Sequence, residues 1–305
     1  MSFRPGVAES SETAAPSPTS AQARAGLIAP STSVVDAFAL LATSIAGEAV
    51  ERVRKLDGGG APEDLHKLRV ALRRLRTLWW AYQPLLDKKD AKLQRREFKA
   101  LADAAGRTRD WDVLHDLIAA ANPSNQHDAL ALLINAIDEH RAEALSFSLK
   151  AIGNAGVERI LEQALTSARQ QLDLQGAGRP IASFAEERVQ AAEQALKKRV
   201  RRAVSAQASD YAALHEVRIA GKKLRYLLQF FAPVLGGGHQ AVIERLTVVQ
   251  DELGTLNDLV TSEALLREYA FQLGEAKRVK QAIAHLQSET AHHMHHVHEV
   301  LRTAG

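Results

Sequence analysis

The sequence predicts an all-α protein, built as two pseudo-twofold-related bundles of four or more helices each around a basic groove. Three observations lead there. From Ser33 onward apolar residues recur at helical spacing, Ala and Leu dominate, and alternation of period two is absent. Gly and Pro recur at intervals that suit helix ends, since Gly tolerates left-handed backbone and Pro lacks the N–H a helix needs. The chain also repeats itself: the segment Leu65 to Arg76 parallels Leu214 to Arg225 at an offset of 149.

The elements follow in order. Residues 1–32 are rich in Ser, Ala, Pro and Thr, with too few large apolar side chains to offset the entropy of ordering, and are expected to be a disordered tail. A helix over 33–56 should end at Asp57-Gly-Gly-Gly, one over 62–83 at Pro84, and one over 87–105 at Gly106. Helices over 108–121 and 125–150 are divided by Asn122-Pro123, and Gly153 separates the latter from 157–172. The stretch Gly176 to Pro180 reads as a linker between a first bundle, 33–175, and a second, 176–305. Helices are then expected over 180–206, 211–232, 239–253, 256–272 and 275–302, with breaks at Pro233 to Gly238, Gly254 and Gly274.

The repeat extends beyond one helix. Pro84 pairs with Pro233 and Leu86 with Leu235, while upstream Arg52-Val-Arg-Lys55 matches Arg199-Val-Arg-Arg202. Downstream, the segment from Gly106 to Asp110 matches that from Gly254 to Asp258.

There is no cysteine, which excludes disulfides, thiolate metal sites and cysteine nucleophiles and suits a reducing compartment. Neither a signal peptide nor a run of about 20 apolar residues is present, so the expectation is a cytoplasmic protein without a membrane span. Net charge is only +3, but its distribution is uneven. Residues 66–99 hold 11 Lys+Arg against 3 Asp+Glu, residues 197–225 hold 9 against 2, and the remainder is acidic. Concentrated cation on an acidic background is the footprint of a polyanion site.

On a helical wheel, Leu68, Leu72, Leu75, Leu78, Trp79 and Tyr82 share one face, and His66, Arg69, Arg73 and Arg76 share another. The second copy places His215, Arg218, Lys222 and Arg225 on the same ladder, with Lys223 flanking it as Arg74 does in the first. Like charges at this spacing destabilise a helix, so stability does not explain them. A row of cations does suit a string of phosphates, gripped bidentately by Arg and as a point charge by Lys. A polyanion nearby would also favour the imidazolium of His66 and His215; the plainer reading is that each histidine makes one hydrogen bond near a helix start. Arg52, Lys55, Arg199 and Arg202 sit near the ends of the preceding helices and are expected to extend the groove. So are Arg96 and Lys99 on the third helix, where a solvated face is the competing reading.

These residues resemble a family. The chain from about 33 to 303 is similar to the CHAD domain, a histidine-containing α-helical domain whose halves each bear an H-x-x-R-x-x-x-[RK]-[RK]-x-R helix, matched at His66 to Arg76 and His215 to Arg225. Gly106 to Asp110 and Gly254 to Asp258 resemble the family's L-G-x-x-R-D turn, with Asn257 where Arg is common. The resemblance implies two four-helix bundles enclosing a groove that binds inorganic polyphosphate, without catalysis or cofactor. It also implies residence at polyphosphate granules, with polyphosphate-metabolising proteins as expected partners there.

Three alternatives stand beside it. A nucleic-acid-binding helical protein would also use cationic ladders, but stacking aromatics should then interleave them, and here Trp79, Trp80, Tyr82, Phe230 and Phe231 cluster at the ladders' far ends. An HD-type metal-dependent phosphohydrolase is suggested by His115-Asp116, yet the second copy has Glu263-Ala264 there. The segment His292 to His298 would chelate metal through His292 and His296 at i, i+4, or be a solvated helix end. No catalytic or metal-binding residue is assigned.

Overall fold

The computed structural model describes residues 28–59, 61–121, 128–175, 179–207, 210–237 and 239–304. Among them the chain is all-α, with ten α-helices, one 3-10 turn and no strand. The helices are α1 (Val34–Asp57), α2 (Pro62–Tyr82), α3 (Lys88–Ala104), α4 (Arg107–Ala120), α5 (Asp128–Asn154), α6 (Val157–Gln175), α7 (Ile181–Ser205), α8 (Tyr211–Phe231), α9 (His239–Glu268) and α10 (Ala276–Ala304). The 3-10 turn, Gln83–Leu85, holds Pro84 and follows α2.

Local chemistry sets the starts. Ser33 Oγ accepts from Asp36 N at the head of α1, Asp87 accepts from Lys89 N and Asp90 N at the head of α3, and Asp210 accepts from Ala213 N at the head of α8. Pro62 opens α2, where a missing N–H costs nothing.

Two expected breaks moved. Eleven helices were expected and ten are observed, because α9 runs unbroken through Gly254, supported by Leu253 and Leu256 in a buried cluster with α8 and α10. Helix α5 likewise passes through Gly153, and the left-handed residue that follows it is Gly156, at φ +62°. Of the expected tail, residues 1–27 lie outside the described residues, as do the breaks at 122–127 and the linker core at 176–178. Residues 28–32 are ordered: Ile28 is buried, and Ile181 N donates to Thr32 O. Val34 N donates to Arg179 O beside it, so the starts of α1 and α7 are tied together at a Ser33–Pro180 bridge.

The cores do not divide at residue 175. The largest joins α1, α2, α3 and α6 to the start of α7 and the end of α8. Its aromatic rings run from Phe38 to Tyr82 (4.9 Å), Tyr82 to Phe184 (4.7 Å) and Phe184 to Phe231 (6.4 Å), crossing from the first sequence half to the second. Trp79 and Tyr82 point into it, as their position on the wheel requires, and Trp79 Nε1 donates to Gln94 Oε1. A second core packs Trp111, Leu114 and Ile118 of α4 and Leu133 and Ile137 of α5 against α9 and α10. A third joins the end of α7, the start of α8, the middle of α9 and the end of α10. Among the described residues no helix is long and apolar enough to cross a membrane.

Candidate anion-binding cleft

Burying Leu65, Leu68, Leu72, Leu75 and Leu78 on one side of α2 forces the opposite arc outward, and the same holds on α8, where Leu214, Val217, Leu224 and Leu228 are buried. The two arcs share one cleft of about 610 Å³. His66, Arg69 and Arg73 enter it from α2, and His215, Arg218, Lys222 and Arg225 from α8. Seven of the eight predicted ladder residues thus meet in one space. The start of α4 supplies Arg109 and Asp110, and α9 supplies Gln250, Asp251, Thr255, Asn257, Asp258, Thr261 and Ser262.

Packing holds the cations in place. The Arg69 guanidinium lies across Gly106, where a Cβ would stand 2.8 Å from Arg69 Cζ, so a larger residue there would push the guanidinium aside. Asp110 Oδ1 lies 3.8 Å from Arg69 Nη1 and fixes its other side. Across the cleft, His215 Nδ1 lies 3.2 Å from the Tyr211 hydroxyl, which donates to Asn257 Oδ1 at 3.1 Å. Asn257 therefore orients a histidine in the second copy, in place of the Arg109 of the first.

The cleft carries an excess of cation, with Arg69, Arg73, Arg109, Arg218, Lys222 and Arg225 lining it against Asp110, Asp251 and Asp258. Arg73, Arg218, Lys222 and Arg225 form no ion pair among the described residues. Burial, with Arg218, Arg73 and Arg225 nearby, pushes Lys222 down from 10.5 to about 7. Burial likewise lowers His66 and His215, with neighbouring arginines adding to the effect, so both imidazoles are held toward neutrality. Burial raises Asp110 against the opposing pull of Arg69. His66 Nδ1, Arg218 Nε, Arg225 Nε, Ser262 Oγ and both amide atoms of Gln250 are buried without a hydrogen-bond partner among the described residues. Polar atoms in such a position ask for an outside partner.

Other expected groove residues lie elsewhere, each for a local reason. Arg52 pairs with Asp64 at 3.2 Å and Lys55 with Glu51 at 2.8 Å, so the end of α1 is neutralised. Arg74 turns away from the cleft to Glu48, 2.9 Å distant, and lies 5.8 Å from the Phe230 ring centroid. Lys99 pairs with Asp103, Arg96 is exposed on α3, and Arg202 reaches Glu216 at 3.6 Å on the surface. Arg76 and Arg199 act electrostatically on Lys223, and none of the three lines the cleft.

Sequence reasoning missed Arg109 and most of α9. The repeated Gly106–Asp110 and Gly254–Asp258 segments were a signal for Arg109, Asn257 and the two aspartates. Gln250 and Ser262 are uncharged and have no counterpart in the first copy, so no pattern marked them.

The His115-Asp116 pair sits in a network between α4 and α5. His115 Nδ1 is 3.2 Å from Asp116 and Nε2 is 3.7 Å from Asp138, while Arg141 bridges Asp112 and Asp138. In α10, His293 and His296 lie 3.7 and 3.8 Å from Glu252 of α9. Among the described residues no group of three or more His, Asp or Glu converges as a metal ion's ligands would.

The sequence profile of the CHAD domain matches residues 44–267, well over half of the chain. The chain belongs to the CHAD domain family. The crystal structure of the CHAD domain from the plant Ricinus communis superposes with a TM-score of 0.76 at 24% identity, over 90% of this chain and 93% of that one. PptA from Streptomyces chartreusis superposes with a TM-score of 0.63 at 18% identity, over 90% and 99%. At these identities both show a shared fold, and the first carries the CHAD fold over 90% of the chain. No curated protein sequence matches it.

Proposed function

We propose that this CHAD domain binds inorganic polyphosphate in the cleft between α2 and α8 and does so without turning it over. The observation that supports this most is the meeting of Arg69, Arg73, Arg218, Lys222 and Arg225, several half-buried and all but Arg69 without a carboxylate partner, beside buried polar atoms that lack a partner of their own. Half-buried unpaired cations cost stability, and a polyanionic ligand recovers that cost as binding energy. The family's affinity for polyphosphate points the same way. Asp110 then serves to position Arg69 rather than to act on the ligand, and Asp258 moderates the charge of Arg218. The reading extends to a cytoplasmic protein held at polyphosphate granules beside the proteins that make or degrade the polymer.

The rival ligand is single-stranded nucleic acid. Stacking would need an aromatic ring in the cleft, and apart from the two histidines its lining carries none. The deciding experiment titrates the protein with long-chain polyphosphate and with length-matched single-stranded DNA, at near-physiological salt and with chelator present. Tight, saturable binding of polyphosphate with much weaker DNA binding is expected. Equal affinity, or a preference for DNA, means the ladders read any phosphate backbone. Electrophoresis of the recovered polyphosphate tests the second half of the proposal, with unchanged chain length the expected result.

A further inference from the structure

Beyond the cleft, at the far end of the α2 ladder, lies a second concentration of cation that does not line the cleft. Trp80 of α2 is its centre. Arg188 of α7 places its Cζ 4.6 Å from the ring centroid, and Lys223 of α8 places its Nζ 4.2 Å from it. Arg76 of α2, Arg95 of α3 and Arg199 of α7 all act electrostatically on Lys223. The five cations come from four helices, and all are half-buried.

Among the described residues no carboxylate pairs with them directly, and Asp103, which acts electrostatically on Arg76, is engaged by Lys99. None of the five forms an ion pair among the described residues. Glu187, the carboxylate that acts on Arg188, is engaged by Arg179. Arg95 donates to the Gln83 amide oxygen and Arg199 to the carbonyl of Ala195, both uncharged acceptors. Arg76 Nε and Arg188 Nε are buried without an acceptor among the described residues. Burial and the four neighbouring guanidinium groups push Lys223 down to about 8. Such a cluster weakens the fold and is ordinarily relieved by a carboxylate.

We propose that Arg76, Arg95, Arg188, Arg199 and Lys223 around Trp80 form a second phosphate-binding site, occupied by the same polyphosphate chain that fills the cleft. This rests on the polyphosphate reading of the cleft and extends it. The two sites adjoin through consecutive rungs: Lys222 faces the cleft and Lys223 the Trp80 site, while Arg73 faces the cleft and interacts with Arg76 beyond it. From Arg69 to Trp80 the helix rises about 16 Å. Tripolyphosphate is too short to occupy both ends, whereas a long chain engages them together and gains the effective concentration of a tethered second contact. The Trp80 site thereby sets a preference for length.

The test compares the wild-type protein with the double variant Arg188→Gln, Lys223→Gln, each titrated with tripolyphosphate and with long-chain polyphosphate. Thermal melts establish that the variant is folded. Its affinity for the long chain should fall roughly tenfold or more, with the salt dependence shallower by about one to two ions released, and the loss for tripolyphosphate, which cannot bridge the two sites, should be much smaller. Trp80 gives an independent readout: the long chain should change tryptophan emission at far lower phosphate concentration than tripolyphosphate does, and Trp80→Phe should abolish the change. Unchanged long-chain affinity and salt slope in the variant overturn the second site while leaving the cleft intact. Equal losses for both ligands also overturn it, because the effect is then one of overall charge. A wild-type protein that ignores polyphosphate of every length overturns the cleft reading itself.

Discussion

Arg73, Arg74 and Arg76 are near neighbours on α2, yet they face the cleft, Glu48 and the Trp80 cluster respectively. Each residue turns about 100° from the last, so a charge run in sequence is several sites in space. Only Arg73 and its facing partners act in the cleft as proposed. Charge reversal at both Arg73 and Lys222 is therefore expected to abolish polyphosphate binding while thermal unfolding stays cooperative, since neither side chain lies on the core face. Lys222 permits a finer test. Its pKa of about 7 lies below the 10.5 of an unperturbed lysine, so between those values the unfolded chain binds the extra proton. Stability should fall as pH drops from about 10.5 toward 7 and level off below. Lys222→Met removes that penalty, and near neutral pH it should raise the melting midpoint by about 2 to 4 °C, the shift from roughly 1 kcal/mol at this size, while weakening polyphosphate affinity. Binding has the opposite pH sense. A polyanion prefers protonated Lys222, His66 and His215, so affinity should strengthen as pH falls through 7, with proton uptake visible by calorimetry in buffers of different ionisation enthalpy. The ladders were legible because duplicated charge at helical spacing has no stabilising use. The pairing of Arg52, Arg74 and Arg202 was not, because Asp64, Glu48 and Glu216 are ordinary surface acids until the fold brings them near.

At the level of the helix, the two copies of one glycine have taken different work. Gly106 follows the end of α3 and makes room for the Arg69 guanidinium, whereas Gly254 lies inside α9 with nothing within 4 Å of where a Cβ would stand. Gly254→Ala should stabilise the protein by about 0.5 to 1 kcal/mol, the ordinary cost of an interior helical glycine, measured by denaturant titration. Gly106→Ala should do the reverse where function is concerned, dislodging Arg69 and lowering polyphosphate affinity roughly tenfold, as loss of a charge-assisted hydrogen bond would. Sequence alone made both glycines helix breaks, since a breaker's effect depends on whether neighbouring turns are pinned. Leu253, Leu256 and Leu259 pin α9 from both sides of Gly254. The helix starts at Ser33, Pro62, Asp87 and Asp210 lie within a residue or two of the expected boundaries, because caps act locally.

Over the whole molecule, all-α architecture and CHAD membership followed from periodicity and the repeated motif, both of which are written along the chain. The layout of the cores was not so written. Phe184 and Phe231 belong by sequence to the second half, but their rings extend the line of edge-on and tilted contacts begun by Phe38 and Tyr82, and α4 and α5 of the first half share a core with α9 and α10. Apolar faces record that a helix is buried and leave its partner unnamed. One feature of this layout bears on time rather than affinity. Helix α9, 30 residues long and unbroken, forms a continuous wall of the cleft, and the helices opposite are anchored in the cores. Every residue lining the site belongs to a helix, so the site is expected to stand ready before any ligand arrives. Capture should then be steered by the protein's field, with association rates toward 10⁸ M⁻¹s⁻¹ that fall steeply with added salt in stopped-flow records. A slow, salt-insensitive step that saturates with ligand would mean that the wall moves. For a preformed cleft, discrimination between ligands is expressed in how long each remains.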